Sequence, residues 1–297
     1  SVLYAIPPFK QFAFARCAAY NKMYFDPSET YQPWPSEGNA TFSEVHPSSA
    51  PSDPSTGTFR FNLEARLDYQ GTNNGFRVYQ GMVIPEGTDF HDGSGWKTAA
   101  EDLVVPGNGV SNGESIGVKY YPAIYYTKTD ADLGYAISDG GNVISGNCRT
   151  PDSTHYSIFE KAPGSFTVDS SDASLTSIVA LGPDGACLKE TIIQPEDPEM
   201  QAFANWFTYY RKRHLAQRAG MGQAFRDLSG MRVGLFTINK RYNVTMRSLE
   251  EATERTAFYN QLYGISGNGG GTPNRPAMAH IGTQFRRLDS GAPVTLE

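Results

Sequence analysis

Hydrophobic and polar residues alternate in the first half of the chain in the way expected of β-strands. Between residues 59 and 69, apolar side chains at every odd position alternate with polar ones. The segments FRVYQGMVI, VKYYPAIYYT and CLKETII are further strand candidates, and the turn-like GTNNG predicts a hairpin between residues 59–69 and FRVYQGMVI. Pro122 favours an edge or a bulge in the second of these segments. We therefore predict a β-rich region over residues 31–195.

From about residue 196 the apolar residues recur at helical spacing. Asp197 is a plausible N-cap and Pro198 a plausible first helical residue, and the predicted helix continues to Gly230. The short, apolar and β-branched segment MRVGLFTIN then predicts a buried strand. Ser248 and Glu251 have the spacing of a capping box ahead of a second helix.

A glycine-rich loop, ISGNGGG, separates this second helix from a third, NRPAMAHIGTQFRRL. The order helix, strand, helix, glycine loop, helix is typical of an open α/β sheet. We therefore expect RVGLFTIN to lie within a central sheet.

Composition describes a folded protein with many loops. The chain has 297 residues, 39% of them hydrophobic and 19% charged, and a net charge of -6. An acidic balance argues against a nucleic-acid-binding surface, which needs clustered Lys and Arg. The one basic run, residues 211–214, falls within the predicted first helix and is interpreted as a solvated helix face. No apolar run reaches the ~18–20 residues of a membrane span, so none is predicted.

Residues 26–57 are rich in Pro, Ser, Asp and Gly and predict an ordered surface loop or a linker. Trp34 stands between two prolines in this stretch, and we expect it to pack against another part of the protein.

Three cysteines are too few for a small disulfide scaffold and lack the paired spacing of a zinc site. If the chain is exported, Cys148 and Cys187 could form a disulfide, because both lie in the β-rich region. Cys17 would then be free or joined to a cysteine outside this chain. The alternative is three unrelated buried thiols.

The stretch GNGGGTP places Thr272 at the start of the third helix. By local chemistry Thr272 is an N-cap followed by a proline at the first helical position. A phosphate cradle is disfavoured, because no Gly-Lys-Ser/Thr follows the glycines.

Several tracts of the chain resemble, in order, the von Willebrand A domain of the PilY/PilC type IV pilus tip proteins. These tracts are FANWFTYYRKRHLAQRAGMGQAF, RVGLFTIN, FYNQLYG and GGTPNRPAMAHIG. The N-terminal YNKMYFDPSETYQPWP and the internal YYPAIYY are also similar to segments of that family. The order of the tracts is specific, whereas GGTP alone is not.

The resemblance implies an α/β fold: a partial von Willebrand A (Rossmann-like) domain with a large β-rich insertion. Residues 1–30 and 196–297 are expected to belong to this domain, and residues 31–195 to form the insertion. The implied protein is a non-enzymatic adhesin and pilus-biogenesis component at the pilus tip or bacterial cell surface, exported through the periplasm. Its implied partners are minor pilins and a host or abiotic surface. The family's C-terminal β-propeller is expected to be absent, as in a fragment.

In such domains the threonine of GGTP, here Thr272, helps to bind a divalent cation such as Mg or Ca. The resemblance also implies an Asp-x-Ser-x-Ser motif and a later aspartate, which this chain does not supply at the expected places. Since one hydroxyl cannot hold a hard cation, we predict no cofactor in this chain and a metal only with ligands from outside it.

Two other functions remain open. An extracellular carbohydrate-binding or carbohydrate-active protein would use aromatic platforms to bind sugars and a pair of carboxylates to cleave them. A structural fragment without binding activity is the second alternative. Asp130, Asp132 and Asp139 are interpreted as a polar loop, since they lack EF-hand spacing. The five histidines are dispersed, and there is no G-x-S-x-G motif.

Overall fold

The computed structural model divides the chain into two compact units, which are treated separately. The first comprises residues 1–30, 45–50 and 60–207, and the second comprises residues 31–44, 51–59 and 208–297. The structure describes residues 8–57, 59–67, 76–106, 115–129, 134–139, 142–147, 167–168, 180–182, 186–265 and 271–293.

Sixteen strands lie among the described residues, and most are short. In chain order they are β1 (Ala50–Pro51), β2 (Arg60–Phe61), β3 (Phe76–Tyr79), β4 (Val83–Ile84), β5 (Asp89–His91), β6 (Trp96–Thr98), β7 (Leu103–Val104), β8 (Ser115–Val118), β9 (Ile124–Lys128), β10 (Gly134–Asp139), β11 (Asn142–Asn147), β12 (Thr167–Val168), β13 (Ala180–Leu181), β14 (Cys187–Ile192), β15 (Arg232–Val233) and β16 (Arg247–Ser248).

The described residues contain four α-helices, all after strand β14. They are α1 (Glu199–Tyr209), α2 (Arg213–Arg226), α3 (Ala252–Tyr263) and α4 (Asn274–Gln284). Two 3₁₀ helices, Lys10–Arg16 and Pro47–Ser49, precede the strands.

The first unit is β-rich. Its largest sheet is antiparallel with strand order β3-β8-β5-β6, and a second sheet has the order β13-β14-β9. One hydrophobic core lies under the first sheet and includes Val78, Ile84 and Val118, all with 0% exposure. A smaller core joins Cys17 to Leu188. The first core is built mainly from β-branched side chains on one face of its strands. The second packs Tyr126 and Leu188 of two paired strands against Ala13 and Cys17.

The predicted strand over residues 59–69 is wrong for most of its length. Within residues 59–67, the described part of this range, Arg60–Phe61 is the only strand, and Phe59, which the alternation would bury, is 65% exposed. The Asn62 side chain accepts a hydrogen bond from the Glu64 N–H at 3.0 Å. Such a local turn competes with the strand ladder, which explains why the alternation fails here.

The predicted hairpin between residues 59–69 and FRVYQGMVI is also wrong. Strand β3 pairs with β8, with Phe76 opposite Val118, so its partner lies forty residues further along the chain. FRVYQGMVI itself divides into β3 and β4, because Gly81 turns between them with a φ of 80°. The predicted strand VKYYPAIYYT is divided between β8 and β9, and Pro122 lies between them, not in an edge strand or a bulge as predicted.

The long helix predicted to reach Gly230 is two helices, α1 and α2, interrupted at residues 210–212. At the break the Tyr210 hydroxyl donates to the Gln32 carbonyl at 2.8 Å, and Arg211 Nη2 donates to the Ser52 carbonyl at 2.7 Å. Lys212 is extended, with φ -116° and ψ 145°. The basic run therefore marks a break between helices and is not a continuous helix face.

The expectation that RVGLFTIN lies in a central sheet is wrong for the described residues. Its strand, β15, covers only Arg232–Val233 and pairs antiparallel with β16. The Leu235 carbonyl accepts a hydrogen bond from Gln261 Nε2 at 2.9 Å, and Thr237 bridges to Lys240 in a local turn. Side-chain and turn contacts thus take the place of strand pairing.

Both predicted caps of α3 and α4 differ from the observed ones. Helix α3 has Glu251 at its N-cap, and the Ser248 N–H donates to the Glu254 carboxylate three residues later than the predicted partner. Pro273, not Thr272, is the N-cap residue of α4, and it makes no side-chain cap hydrogen bond.

At the level of class, the protein is mixed α/β, with helices and several small antiparallel sheets. Within the ranges that the structure describes, no helix combines the length and hydrophobicity needed to cross a bilayer.

Candidate functional site

Helix α2 carries a buried arginine into the interior of the second unit. Arg218 is 3% exposed and lies on the same helix face as the buried residues Leu215, Ala219 and Gly222. A buried guanidinium group is costly unless its donors are satisfied, so its partners define the site.

The Arg218 guanidinium is bound by three segments of the second unit. Its Nη2 donates to Asp53 Oδ2 at 2.9 Å, and its Nη1 donates to Ser55 Oγ at 3.1 Å and to the Tyr263 carbonyl at 2.9 Å. Its centre also lies 4.7 Å from the centroid of the Trp34 ring. Trp34, Asp53, Ser55, Arg218 and Tyr263 are hereafter called the Arg218 cluster.

Trp34 joins the cluster through stacking and one hydrogen bond. Its ring stacks on Tyr263 with a centroid distance of 5.1 Å and an interplanar angle of 12°. Its indole Nε1 donates to the Tyr209 carbonyl at 3.2 Å, and Tyr263 in turn donates its hydroxyl proton to the Pro35 carbonyl at 2.8 Å. Trp34 is 1% exposed, so the expectation that it packs within the protein is confirmed.

Electrostatics keep Asp53 ionised. Burial would raise the pKa of its carboxyl group, but hydrogen bonds from Ser55 and Arg218 outweigh burial and hold that pKa below its ordinary value. His214 Nε2 lies 3.8 Å from Asp53 Oδ2. Burial lowers the pKa of His214, and the charge of Arg218 lowers it further against the opposing effect of Asp53.

The order of these groups does not suit nucleophilic catalysis. Ser55 donates its hydroxyl proton to Asp53 Oδ1 at 2.6 Å, so serine and histidine both face the carboxylate. A nucleophilic serine needs a histidine between itself and the carboxylate. The Arg218 cluster is therefore best suited to fixing the loops around it.

At its edge, the second unit presents a pair of partly exposed tyrosines. Tyr31 and Tyr210 meet edge to face with a centroid distance of 5.3 Å. Lys212 and Arg213 follow at the helix break and are exposed. Because the break is held by hydrogen bonds, these side chains are presented from a fixed backbone.

Thr272 lies at the start of α4, where it was predicted, and is exposed. Its backbone carbonyl accepts a hydrogen bond from the Asn274 N–H at 2.9 Å, so Thr272 contributes to the start of the helix through its backbone. Nowhere in the described ranges do three His, Cys, Asp or Glu side chains gather as metal ligands. One hydroxyl does not fit a hard cation, so the residues present here do not form a cation site.

Of the cysteines, Cys187 is disulfide-bonded and Cys17 is a buried free thiol. Cys148 lies outside the described residues, as do Asp130 and Asp132. Asp139 ends strand β10.

A second cluster of polar and aromatic side chains lies around the β5–β6 hairpin of the first unit. Asp89 Oδ2 accepts an ion pair from Arg66 at 2.9 Å, and Asp89 Oδ1 accepts the Thr98 hydroxyl proton at 2.9 Å. Lys119 Nζ lies 4.9 Å from the Trp96 ring centroid. Both tryptophan and lysine reach the surface at least in part, as a ligand-binding platform requires.

The carboxylates are poorly suited to act as general acids. Hydrogen bonds from Thr98 and Arg66 lower the pKa of Asp89, and those from Lys97 and Ser94 lower the pKa of Asp92. Throughout the described ranges, each aspartate or glutamate whose pKa departs from its ordinary value is shifted downwards. A glycosidase general acid needs a raised pKa, which none of these groups has.

Sequence reasoning missed Arg218 and Asp53. Arginine in an amphipathic helix is normally taken as a solvated position, so its spacing from Leu215 and Ala219 was the only available signal. Asp53 stands in a loop rich in Pro, Ser and Asp, where nothing in the sequence distinguishes it, and the structure shows it in a turn whose carboxylate faces Arg218.

No protein-family description matches the chain, and comparisons with curated proteins and with solved structures gave no match either.

Proposed function

We propose that this chain is part of an exported, non-enzymatic adhesin or pilus-biogenesis protein of the type IV pilus tip. Its second unit would bind minor pilins or the pilus tip complex, and the β-rich part would contact a host or abiotic surface. The observation that carries this proposal is the ordered series of tracts resembling the PilY/PilC proteins, from NWFTYYRKR to GGTPNRP.

The packing of the second unit supports treating these tracts as one functional piece. Trp34 belongs to the YQPWP tract, Tyr209 to NWFTYYRKR and Tyr263 to FYNQLYG. All three aromatic rings lie within one cluster, in which Trp34 is 5.8 Å from Tyr209 and 5.1 Å from Tyr263. Segments that resemble one family in sequence therefore also depend on each other in space.

The disulfide at Cys187 supports export. Disulfides persist in oxidising compartments such as the periplasm and the cell exterior and are rare in the cytosol. This agrees with a protein that passes through the periplasm to the cell surface.

The finer fold proposal is a partial von Willebrand A domain that includes residues 196–297. Its support is the order of the helical tracts in the sequence. Strand β15 gives no support, because it pairs antiparallel over two residues and is unlike the central strand that such a domain needs. In this view a cation at Thr272 would require ligands from outside the chain.

Carbohydrate binding is the second candidate function, favoured by the platform at β5–β6. Tyr121 is 42% exposed and lies beside the Arg66 guanidinium, 5.6 Å from ring centroid to its central carbon. Because the nearby Asp89 is ionised and paired, the arrangement favours binding sugars over cleaving them.

Disruption of the gene in the bacterium that encodes it tests the main proposal. We expect fewer surface pili by electron microscopy and several-fold weaker attachment to glass and to host cells, both restored by an intact plasmid copy. Unchanged piliation and attachment would overturn the pilus role.

Two assays with the purified protein separate the candidates. Binding to a purified minor pilin complex, measured by biolayer interferometry, is expected for the pilus protein. Saturable binding on a glycan array, lost in Tyr121→Ala and kept in the matched exposed variant Tyr79→Ala, would instead favour sugar recognition. Turnover of any glycan would contradict the non-enzymatic assignment.

A further inference from the structure

Among the described residues, helix α4 packs on the second unit through one face. Gln284 Oε1 accepts the Val244 N–H at 2.8 Å, and His280 Nε2 donates to the Tyr242 carbonyl at 2.9 Å. Ala277 is buried on this same side. These contacts fix the orientation of the helix and leave its opposite face outward.

The outward face of α4 is apolar along one row. Met278 is 67% exposed and Phe285 is 58% exposed, and their spacing of seven residues places them on one side of the helix. Leu288, just beyond the helix, is 81% exposed. Large apolar side chains of this exposure, grouped in one place, mark interaction surfaces more often than scattered ones do.

Beside the apolar row lie two small residues, which would let the backbone of a partner approach closely. Ala279 and Gly282 are exposed, and a side chain at Gly282 would meet no atom within 4 Å. Small residues next to Met278 and Phe285 leave a shallow groove along the helix. A second helix packs well into such a groove, because ridges fit into grooves at helix–helix contacts.

The rim of this face is cationic. Arg275 and Arg286 are eleven residues apart, three helical turns, and both are exposed. Among the described residues neither has an ion-pair partner, and residues 274–288 contain three arginines and no Asp or Glu. Arg287 pairs with Asp289, whereas Arg275 and Arg286 give this face a positive charge in a chain whose net charge is -6.

The position of Arg275 strengthens the case for a role in binding. It lies in the first turn of α4, which has no acidic residue. A positive charge at a helix N-terminus is unfavourable with respect to the helix dipole. Its presence therefore does not serve helix stability, whereas it complements a negatively charged partner.

We propose that the outward face of α4 is a docking surface for an acidic amphipathic helix of another protein. Met278 and Phe285 would contact the apolar stripe of that helix, and Arg275 and Arg286 would pair with carboxylates flanking the stripe. This inference goes beyond the pilus-tip function and does not depend on it.

The test uses the purified chain and designed helical peptides of about 20 residues. One peptide carries a leucine stripe flanked by Glu, and a second carries the same stripe flanked by Lys. Fluorescence anisotropy should show at least about tenfold tighter binding of the Glu peptide, with weakening as salt rises from about 50 to about 300 mM.

Variants then locate the surface. Met278→Ser with Phe285→Ser, and separately Arg275→Glu with Arg286→Glu, should each weaken Glu-peptide binding by at least about tenfold. The matched control is Val104→Ser, an exposed apolar residue of the first unit that should bind as the unaltered chain does. Circular dichroism of each variant checks that the fold is kept, as expected for exposed positions.

Four results would overturn the proposal. Three are no binding of the Glu peptide, equal binding of both peptides, and unchanged binding in the α4 variants. A fourth is concentration-dependent self-association in analytical ultracentrifugation that the Met278/Phe285 variant abolishes, because the surface would then bind a second copy of this chain. None of these results bears on gene disruption, so the pilus proposal stands or falls separately.

Discussion

The two units of this protein use the same interaction in different surroundings. In the second unit the Arg218 guanidinium lies 4.7 Å from the centroid of Trp34, and in the first unit Lys119 Nζ lies 4.9 Å from the centroid of Trp96. The distances are similar, but Trp34 is 1% exposed whereas Trp96 is partly open to solvent. Burial, not distance, should therefore decide how much each contact contributes.

The two clusters also differ in how far along the chain their partners lie. Arg218 binds Asp53, which is 165 residues away, whereas Lys97 binds Asp92, only five residues away. A long-range contact closes a large loop of chain and is made only in the folded state. The hairpin contact can form locally, so its loss should affect the fold less.

The largest expected effect comes from removing Trp34. Trp34→Ala should lower the free energy of unfolding by about 4 kcal/mol, because a buried ring, its stacking on Tyr263 and the Tyr209 hydrogen bond are lost together. Trp96→Ala is the matched control and should cost about 1 kcal/mol. Urea denaturation followed by circular dichroism measures both. Equal losses would contradict the view that burial separates the two tryptophans.

Removing the buried cation should have the next largest effect. Arg218→Met should cost about 3 kcal/mol in the free energy of unfolding, since Asp53 loses its charged partner and the Tyr263 carbonyl its donor. This value is near the lower end of the range for breaking a buried ion pair, because the Asp53 side chain is 21% exposed and keeps its Ser55 hydrogen bonds. Lys119→Met, the counterpart in the first unit, should be close to neutral. A loss in Lys119→Met as large as that in Arg218→Met would rule out this interpretation.

Local patterns predicted the elements whose own residues strongly favour one conformation. CLKETII forms β14 as expected, because β-branched and apolar residues fill a strand that is paired on both sides. The helices beginning near Glu199 and Ala252 were likewise visible from spacing alone.

The elements that sequence reasoning missed are those set by distant partners. Nothing near residues 210–212 signals a helix break, since no Gly or Pro is present and the break depends on Gln32 and Ser52. The same holds for RVGLFTIN, where Gln261 binds the Leu235 carbonyl. The Arg218 cluster combines residues from four separate stretches of the chain, so its chemistry is defined only after folding. The resemblance to pilus-tip proteins remains a prediction from sequence.

A fall in pH below about 6.5 should act through His214 of the second unit. The folded protein holds the pKa of His214 below 6.5 through burial and the nearby Arg218 charge. As pH falls below 6.5, His214 binds a proton in the unfolded chain before it does so in the folded protein. The free energy of unfolding should therefore decrease from its value at pH 7 until the pH reaches the pKa of His214 in the folded protein. His214→Gln should flatten this part of the profile of unfolding free energy against pH. His46→Gln, at an exposed histidine of the first unit, should leave the slope as it is. An unchanged profile in His214→Gln would refute the assignment.

The smallest effect is expected at the local ion pair of the first unit. In Lys97→Met the cation of the Asp92 pair is removed by the same substitution as in Arg218→Met, but the Lys97 side chain is 54% exposed. Asp92 keeps hydrogen bonds from the Ser94 N–H at 2.9 Å and from its hydroxyl at 2.6 Å, so its carboxylate stays satisfied. Exposed pairs contribute little because water and salt screen them. The urea midpoint of Lys97→Met should therefore match that of the unaltered chain at both about 50 mM and about 500 mM salt. A shift approaching that of Arg218→Met would mean that the hairpin, like the Arg218 cluster, depends on its charges, and the contrast between the two units would be lost.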